Sequence, residues 1–266
     1  MSVNPRKIPP GEVFDRSASY YDKVRPGYPE ELFEDIISLS GIPDDGRIIE
    51  IGCGTGQATL PFAQKGYEIL CIDMGKNLLN IARKKFSGYQ KVKFVNSSFE
   101  DWAPEHEAFD LLISATAFHW IDPKIGFMKA AKIVRKNGYI ALFWNLHPTP
   151  YTDFFKDIQK VYQKVLPEWK NPSEGPSTEE KVKELKDKMD LLNLFEDFKV
   201  RKYYWDRQYS TIEYIKLLET YSDHRSLKED RRRVLYEGIR DIIDSNYGGV
   251  ILRPYLSVLY IAKKKS

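Results

Sequence analysis

At 266 residues the chain can bury a sizeable core as one α/β domain, or as a domain carrying an insertion. Its 42% hydrophobic and 30% charged residues are those of a globular protein, and 41 basic against 38 acidic residues leave a net charge of +3. That balance is too even to indicate nucleic acid or a membrane as partner. The runs Arg231-Arg232-Arg233 and Lys263-Lys264-Lys265 read as a solvated helix face and a chain end. Two cysteines, Cys53 and Cys71, with no histidine cluster at ligand spacing, argue against a metal site. The first residues lack an apolar h-region and no run is long enough to span a bilayer, so a cytoplasmic protein is expected.

In chain order, residues 47–51 read as a buried strand, closed by the glycine loop Glu50-Ile51-Gly52-Cys53-Gly54-Thr55-Gly56. Residues 57–64 suit a helix that ends at Gly66 in the left-handed position. A strand at 68–73, a helix at 78–86 and a strand at 92–96 follow. The unbroken apolar run 109–115 is the pattern of a parallel strand covered on both faces. Residues 123–134 suit a helix opened by proline, Asn137-Gly138 a turn, and 139–144 a fifth strand. Strands alternating with helices imply right-handed crossovers and a doubly wound, mostly parallel sheet.

Beyond that the regularity breaks. Residues 145–178 are rich in proline and aromatic residues, and 171–177 read as a loop. A helix is expected at 179–193 and strands at 198–205 and 251–262, with helical segments 211–221 and 227–245 between the strands. Two edge strands interrupted by a helical pair predict a small helical cap inserted into a single domain, 1–266. In that division 10–145 is the ligand-binding core and 146–250 carries the cap.

Three glycines at alternate positions after a buried strand let the backbone turn sharply and approach a ligand. The helix that follows points unpaired N–H groups and its positive dipole end at the same place. Asp73 ends the next strand, about twenty residues on, where its carboxylate can accept both hydroxyls of a ribose. The spacing fails the dinucleotide fingerprint, because Gln57 and Thr59 stand where a third glycine or alanine is required. No Lys-Ser or Lys-Thr follows the glycines, so the phosphate-binding lysine loop is absent too.

The loop resembles the first motif of class I S-adenosylmethionine-dependent methyltransferases. The likeness continues through Asp73, Asn96-Ser97-Ser98-Phe99-Glu100-Asp101-Trp102 and residues 109–115. Residues 14–29 and Phe118-His119-Trp120-Ile121-Asp122 are similar to the small-molecule branch that includes trans-aconitate-type enzymes. The resemblance implies a seven-stranded sheet and S-adenosyl-L-methionine as methyl donor. It implies that Glu50, Gly52, Cys53, Gly54 and Gly56 form the donor's loop, Asp73 binds its ribose and Met74 packs on its adenine. Ser98 and Phe99 fall where such enzymes contact adenine, with Ser97 in place of the frequent acidic residue, and Ala115 lies near the methionine portion. Tyr21 and Arg25 would fold over the donor from an N-terminal helix, Arg25 pairing with its carboxylate.

Methyl transfer from a sulfonium needs alignment and exclusion of water, and a base only where the acceptor must lose a proton early. His119 is the candidate base or substrate donor, with Trp120, His147, Tyr221 and Arg225 as further substrate contacts. Tyr203, Tyr204, Trp205 and Trp169 are possible cap walls, and Arg207, Arg225 and Arg253 possible anion partners. The reading is thus a methyltransferase of a small acceptor, a carboxylate among the candidates, acting as monomer or homodimer. A non-catalytic donor-binding protein, a methyltransferase of RNA or protein, and a nicotinamide oxidoreductase are the competing readings.

Overall fold

The computed structural model describes residues 22–103, 106–149 and 151–265. Strands β1 (Arg47–Ile51), β2 (Glu68–Asp73), β3 (Val92–Asn96), β4 (Phe109–Ala115), β5 (Val134–Leu146), β6 (Phe195–Ser210) and β7 (Val250–Lys264) form one sheet. Their order is β3-β2-β1-β4-β5-β7-β6. The pairings from β3 through β5 are parallel, and β7 runs antiparallel to both its neighbours. The doubly wound, mostly parallel sheet expected from the sequence is therefore the observed fold.

Alternate residues of the central strands enter two separate cores, which is why those strands read as unbroken apolar runs. Ile48, Cys71, Leu111, Ile113 and Phe143 face one side, against helices α1 (Glu30–Ser40), α2 (Thr59–Gln64) and α3 (Lys76–Lys85). Ile49, Ile51, Ile72, Leu112 and Leu142 face the other, against α4 (Pro123–Ile133) and the strand-flanking helix at 178–192.

A third core lies under the cap. Helices α5 (Asp153–Val165), α6 (Thr178–Leu192), α7 (Thr211–Leu218), α8 (Ser222–Ser226) and α9 (Glu229–Tyr247) complete the chain. Phe154 and Ile158 of α5, Tyr214 and Leu217 of α7, and Leu235 and Ile239 of α9 are buried together with Tyr209, Ile251 and Tyr255. The last three belong to the ends of β6 and β7, which stay paired as far as Ser210 and Val250. This two-stranded arm carries the cap, and Ser210 opens α7 with a capping box to Glu213.

Three expectations change. The stretch 145–178, to which no helix or strand was assigned, contains α5, a 13-residue helix. The turn at Asn137-Gly138 lies inside β5, where the register with β4 shifts between Phe109 and Leu111 and Asn137 takes φ 62°. The helical segment 211–221 stops at Leu218, and α8 separates it from α9.

Candidate active site

The carboxyl ends of β1, β2 and β4 meet at the glycine loop. Gly52, Gly54 and Gly56 take φ of 71°, 57° and 85°. A Cβ on Gly52 would sit 2.3 Å from the Cβ of Ala117, and one on Gly56 2.3 Å from Phe86. Glycine is thus required both by backbone conformation and by space. Asp73 ties the loop to β2: its Oδ2 accepts the Gly54 N–H at 2.8 Å and its Oδ1 the Gly75 N–H at 2.7 Å. Asn96 donates to the carbonyls of Asp73 and Met74 and fixes the β3 end beside them, and Met74 is 49% exposed.

Glu50 is buried beneath this loop and accepts the Thr59 hydroxyl at 2.6 Å. Burial is the main cause that pushes its carboxyl up to about 8, opposed by the Thr59 bond and reinforced by Asp73. Cys53 is buried as well, and desolvation raises its thiol well above the usual range, so it serves the loop through its backbone. Phe99 is packed into the core and Ser98 exchanges hydrogen bonds with Asp101, so both side chains are engaged within the protein. Ala115 ends β4. The next residue, Thr116, holds φ 54°, an uncommon conformation for a β-branched residue, and its hydroxyl meets the Tyr28 hydroxyl at 2.7 Å.

A strap of chain before α1 ties the loop to the cap. Asp22 accepts the Thr55 hydroxyl and pairs with Lys85. Arg25 donates to the Thr220 carbonyl, and its guanidinium lies 4.9 Å from the Tyr221 ring centroid. Tyr21, expected beside Arg25, lies outside the described residues.

Next to the carboxyl end of β5, the cap encloses a cavity of about 290 Å³ lined by His147, Tyr162, Trp169, Tyr221, His224 and Arg253, among others. Arg253 donates to the Tyr221 hydroxyl at 2.8 Å and lies 4.8 Å from the Tyr255 ring centroid. Its Nε is buried without a hydrogen-bond partner, and among the described residues no carboxylate pairs with it. His147 contacts the Pro148 carbonyl through Nδ1 at 3.1 Å. Desolvation, with a smaller contribution from Arg253, lowers its pKa to about 4 against that bond, so the ring is neutral at pH 7.

The structure separates the other candidates. His119 and Trp120 form the rim after β4, where Trp120 is 49% exposed and the Trp144 indole donates to His119 Nδ1 at 3.1 Å. Desolvation lowers the His119 pKa. Neither residue, nor Arg225, lines the cap cavity. Arg207 donates to the carbonyls of Arg25 and Lys23. Tyr203 binds Asp35 on the far core, Tyr204 is 70% exposed, and Trp205 donates to Ser257, so these three belong to the sheet and not to the cavity wall. Sequence reasoning passed over Asp22, Tyr28, Thr55, Thr116 and Tyr162. The first two fall within the N-terminal stretch 14–29 that carried the resemblance, so a signal existed there.

Sheet order and loop geometry together define the class I methyltransferase fold. Residues 49–142 match the family model described as a methyltransferase domain. A Saccharomyces cerevisiae relative named a probable S-adenosylmethionine-dependent methyltransferase, CRG1, is 30% identical over 150 residues, 55% of this chain and 51% of its own. The chain thus spans about half the length of the curated relatives it matches. The YcgJ protein of Bacillus subtilis superposes with a TM-score of 0.57 at 17% identity, covering 90% of this chain and all (100%) of its own. Haemonchus contortus phosphoethanolamine N-methyltransferase 2, solved with phosphomonomethylethanolamine and S-adenosylhomocysteine, also superposes at 0.57. It is 14% identical, and the match covers 99% of this chain and 62% of that one.

Proposed function

We propose that this chain is an S-adenosylmethionine-dependent methyltransferase that acts on a small carboxylic acid held in the cap cavity. In this reading residues 10–145 bind the donor and residues 146–250 select the acceptor. The observation that carries the acceptor class is Arg253. A guanidinium without a carboxylate partner, set among aromatic rings in a cavity at the sheet's carboxyl edge, favours an anionic ligand.

Bound S-adenosylmethionine supplies an activated methyl group on a good leaving group, open to direct displacement. The chain's own residues fit that ligand: the Gly52, Gly54 and Gly56 loop would lie along it, and Asp73 would take its ribose hydroxyls. The exposed Met74 would cover its adenine, and Ala115 would face its methionine end. Gln57 Nε2, buried at the loop with no partner, is a further donor for it. The rest of the work is alignment of an acceptor oxygen and exclusion of water. A carboxylate is already ionised at neutral pH and has no proton to lose, so no general base is required. That agrees with a His147 too weakly basic to take a proton and a His119 that stands on the rim outside the cavity.

The test is transfer of label from methyl-labelled S-adenosylmethionine to a panel of small carboxylic acids and their neutral amides. Acids are expected to yield base-labile methyl esters, and Arg253→Met to raise their KM by on the order of 100-fold. Turnover of the amides without the acids would refute the acid reading. Binding of the donor with no transfer to any acceptor would leave a donor-binding protein.

A further inference from the structure

We infer that the cap cavity selects acids that carry a second group able to donate a hydrogen bond, a hydroxyl or an amine, and that Tyr162 reads this group through a hydrogen-bond chain to His224 and Asp223. The inference rests on the cavity being the acceptor site.

With a neutral His224 ring, the chain has a single polarity. Asp223 Oδ1 accepts the His224 backbone N–H at 2.8 Å and stands 2.9 Å from His224 Nδ1. A carboxylate only accepts, so Nδ1 carries the proton and donates it. In the neutral imidazole Nε2 is then a bare acceptor, and it lies 2.7 Å from the Tyr162 hydroxyl. The phenol therefore donates to His224, and the Tyr162 oxygen offers only lone pairs to a further partner. The imidazole has little freedom to change this arrangement. His224 is 5% exposed, meets the Tyr162 and Trp169 rings edge-on and stacks at 21° on Tyr236. Desolvation opposes ionisation of Asp223, but its bonds to His224 outweigh this and hold the carboxyl below its usual range. Burial raises the Tyr162 phenol, which keeps its proton.

Tyr162 and Arg253 line the same cavity and impose opposite demands. Arg253 offers N–H groups and positive charge, so it calls for an acceptor with negative charge. Tyr162 offers a lone pair, so it calls for a donor. A hydroxyl or amine there completes the chain. An oxo group places lone pair against lone pair, and a bare methylene offers the phenol oxygen no donor while displacing water that could supply one. The volume suits an acid of roughly ten non-hydrogen atoms, taking about 30 Å³ for each as for liquid water.

Four matched acids separate the alternatives: 3-phenyllactate (hydroxyl), phenylalanine (amine), phenylpyruvate (oxo) and 3-phenylpropionate (neither). Their binding to the full chain is measured by titration calorimetry in the presence of S-adenosylhomocysteine. The hydroxy or the amino acid, or both, is expected to bind on the order of ten-fold tighter than the other two, and the two arms show which donor is preferred. Tyr162→Phe keeps the ring and removes the oxygen, so it should abolish the preference, weakening the hydroxy or amino acid and relieving the penalty on 3-phenylpropionate and phenylpyruvate. His224→Phe removes the partner of the phenol proton, so the freed O–H should raise phenylpyruvate binding towards that of 3-phenyllactate. A structural role for the chain would lower all four affinities together. Equal binding of the four acids by the wild type, or a preference that survives Tyr162→Phe, overturns the inference and leaves the acid site standing. Failure of all four to bind, or unchanged binding in Arg253→Met, overturns the acid-site reading and the inference with it.

Discussion

Glu50 sits one residue before the end of β1, at 1% exposure, with the Thr59 hydroxyl as its hydrogen-bond partner and the Asp73 carboxylate in the same field. Its carboxyl is raised from 4.5 to about 8, chiefly by burial. The folded state therefore binds this proton more tightly than the unfolded state does. The sign follows by linkage: the stabilisation is full below about pH 4.5 and is lost as pH rises through about 8. Glu50→Gln cannot titrate, so the Tm of the ligand-free variant should stay flat across that window while the wild type falls. The difference should reach a few kcal/mol at most. Parallel Tm-against-pH curves would show that Glu50 is ionised in the ligand-free protein. At this scale Glu50 and Asp73 were legible because each stands in the last two residues of a strand next to the glycine loop. Arg253 was legible only as one of three candidate arginines, because only the fold shows that Arg207 is engaged by backbone carbonyls and that Arg225 stands off the cavity. The Tyr162–His224 contact joins residues 62 positions apart and carries no local signature.

The glycine loop is an element whose sequence and geometry agree in detail. Its three positive-φ glycines and the anchoring of Gly54 by Asp73 follow from a strand that must turn at once into a helix. Gly52→Ala tests that requirement. The left-handed conformation alone costs an L-residue about 1–2 kcal/mol, and the new methyl would collide with Ala117, a side chain with no rotamer to yield. Loss of at least about 2 kcal/mol in chemical denaturation is expected, together with donor affinity at least ten-fold weaker. A variant that keeps both would mean that the loop has room its packing does not suggest. Elements outside this loop were less legible, for reasons that can be located. Helix α5 has Phe154, Ile158, Val161, Tyr162 and Val165 at helical spacing, yet the density of prolines and aromatic residues around it masked that period. Missing it hid the wall that carries Tyr162. The ends of β6 and β7 were read short because the arm leaves the main sheet and alternates against the cap core instead.

At the scale of the molecule, the glycine loop and the cap cavity lie on different cores and are joined by residues 22–29. This strap reaches the loop through Asp22 and Thr55, the end of β4 through Tyr28 and Thr116, and β5 through the Gly27 carbonyl and Asn145. On the cap side Arg25 holds Thr220, Tyr209 donates to the Val24 carbonyl, and Arg207 clamps the carbonyls of Lys23 and Arg25 at 2.7 Å each. Arg207 touches neither the glycine loop nor the cavity lining, so its removal probes the coupling and leaves both sites chemically intact. Arg207→Met gives up two charge-assisted bonds, about 2–4 kcal/mol, which for a chain of this length lowers Tm by roughly 5–10 °C. If the strap sets loop and cap against one another, the variant should also weaken binding of donor and acid together and raise proteolysis within residues 22–29. Each ligand should restore part of the affinity for the other, because whichever binds first re-orders the shared segment. Calorimetric titration of donor with and without acid, in wild type and variant, measures this directly. A variant that loses stability while both affinities and their coupling stay at wild-type values would show that the strap only buttresses the fold.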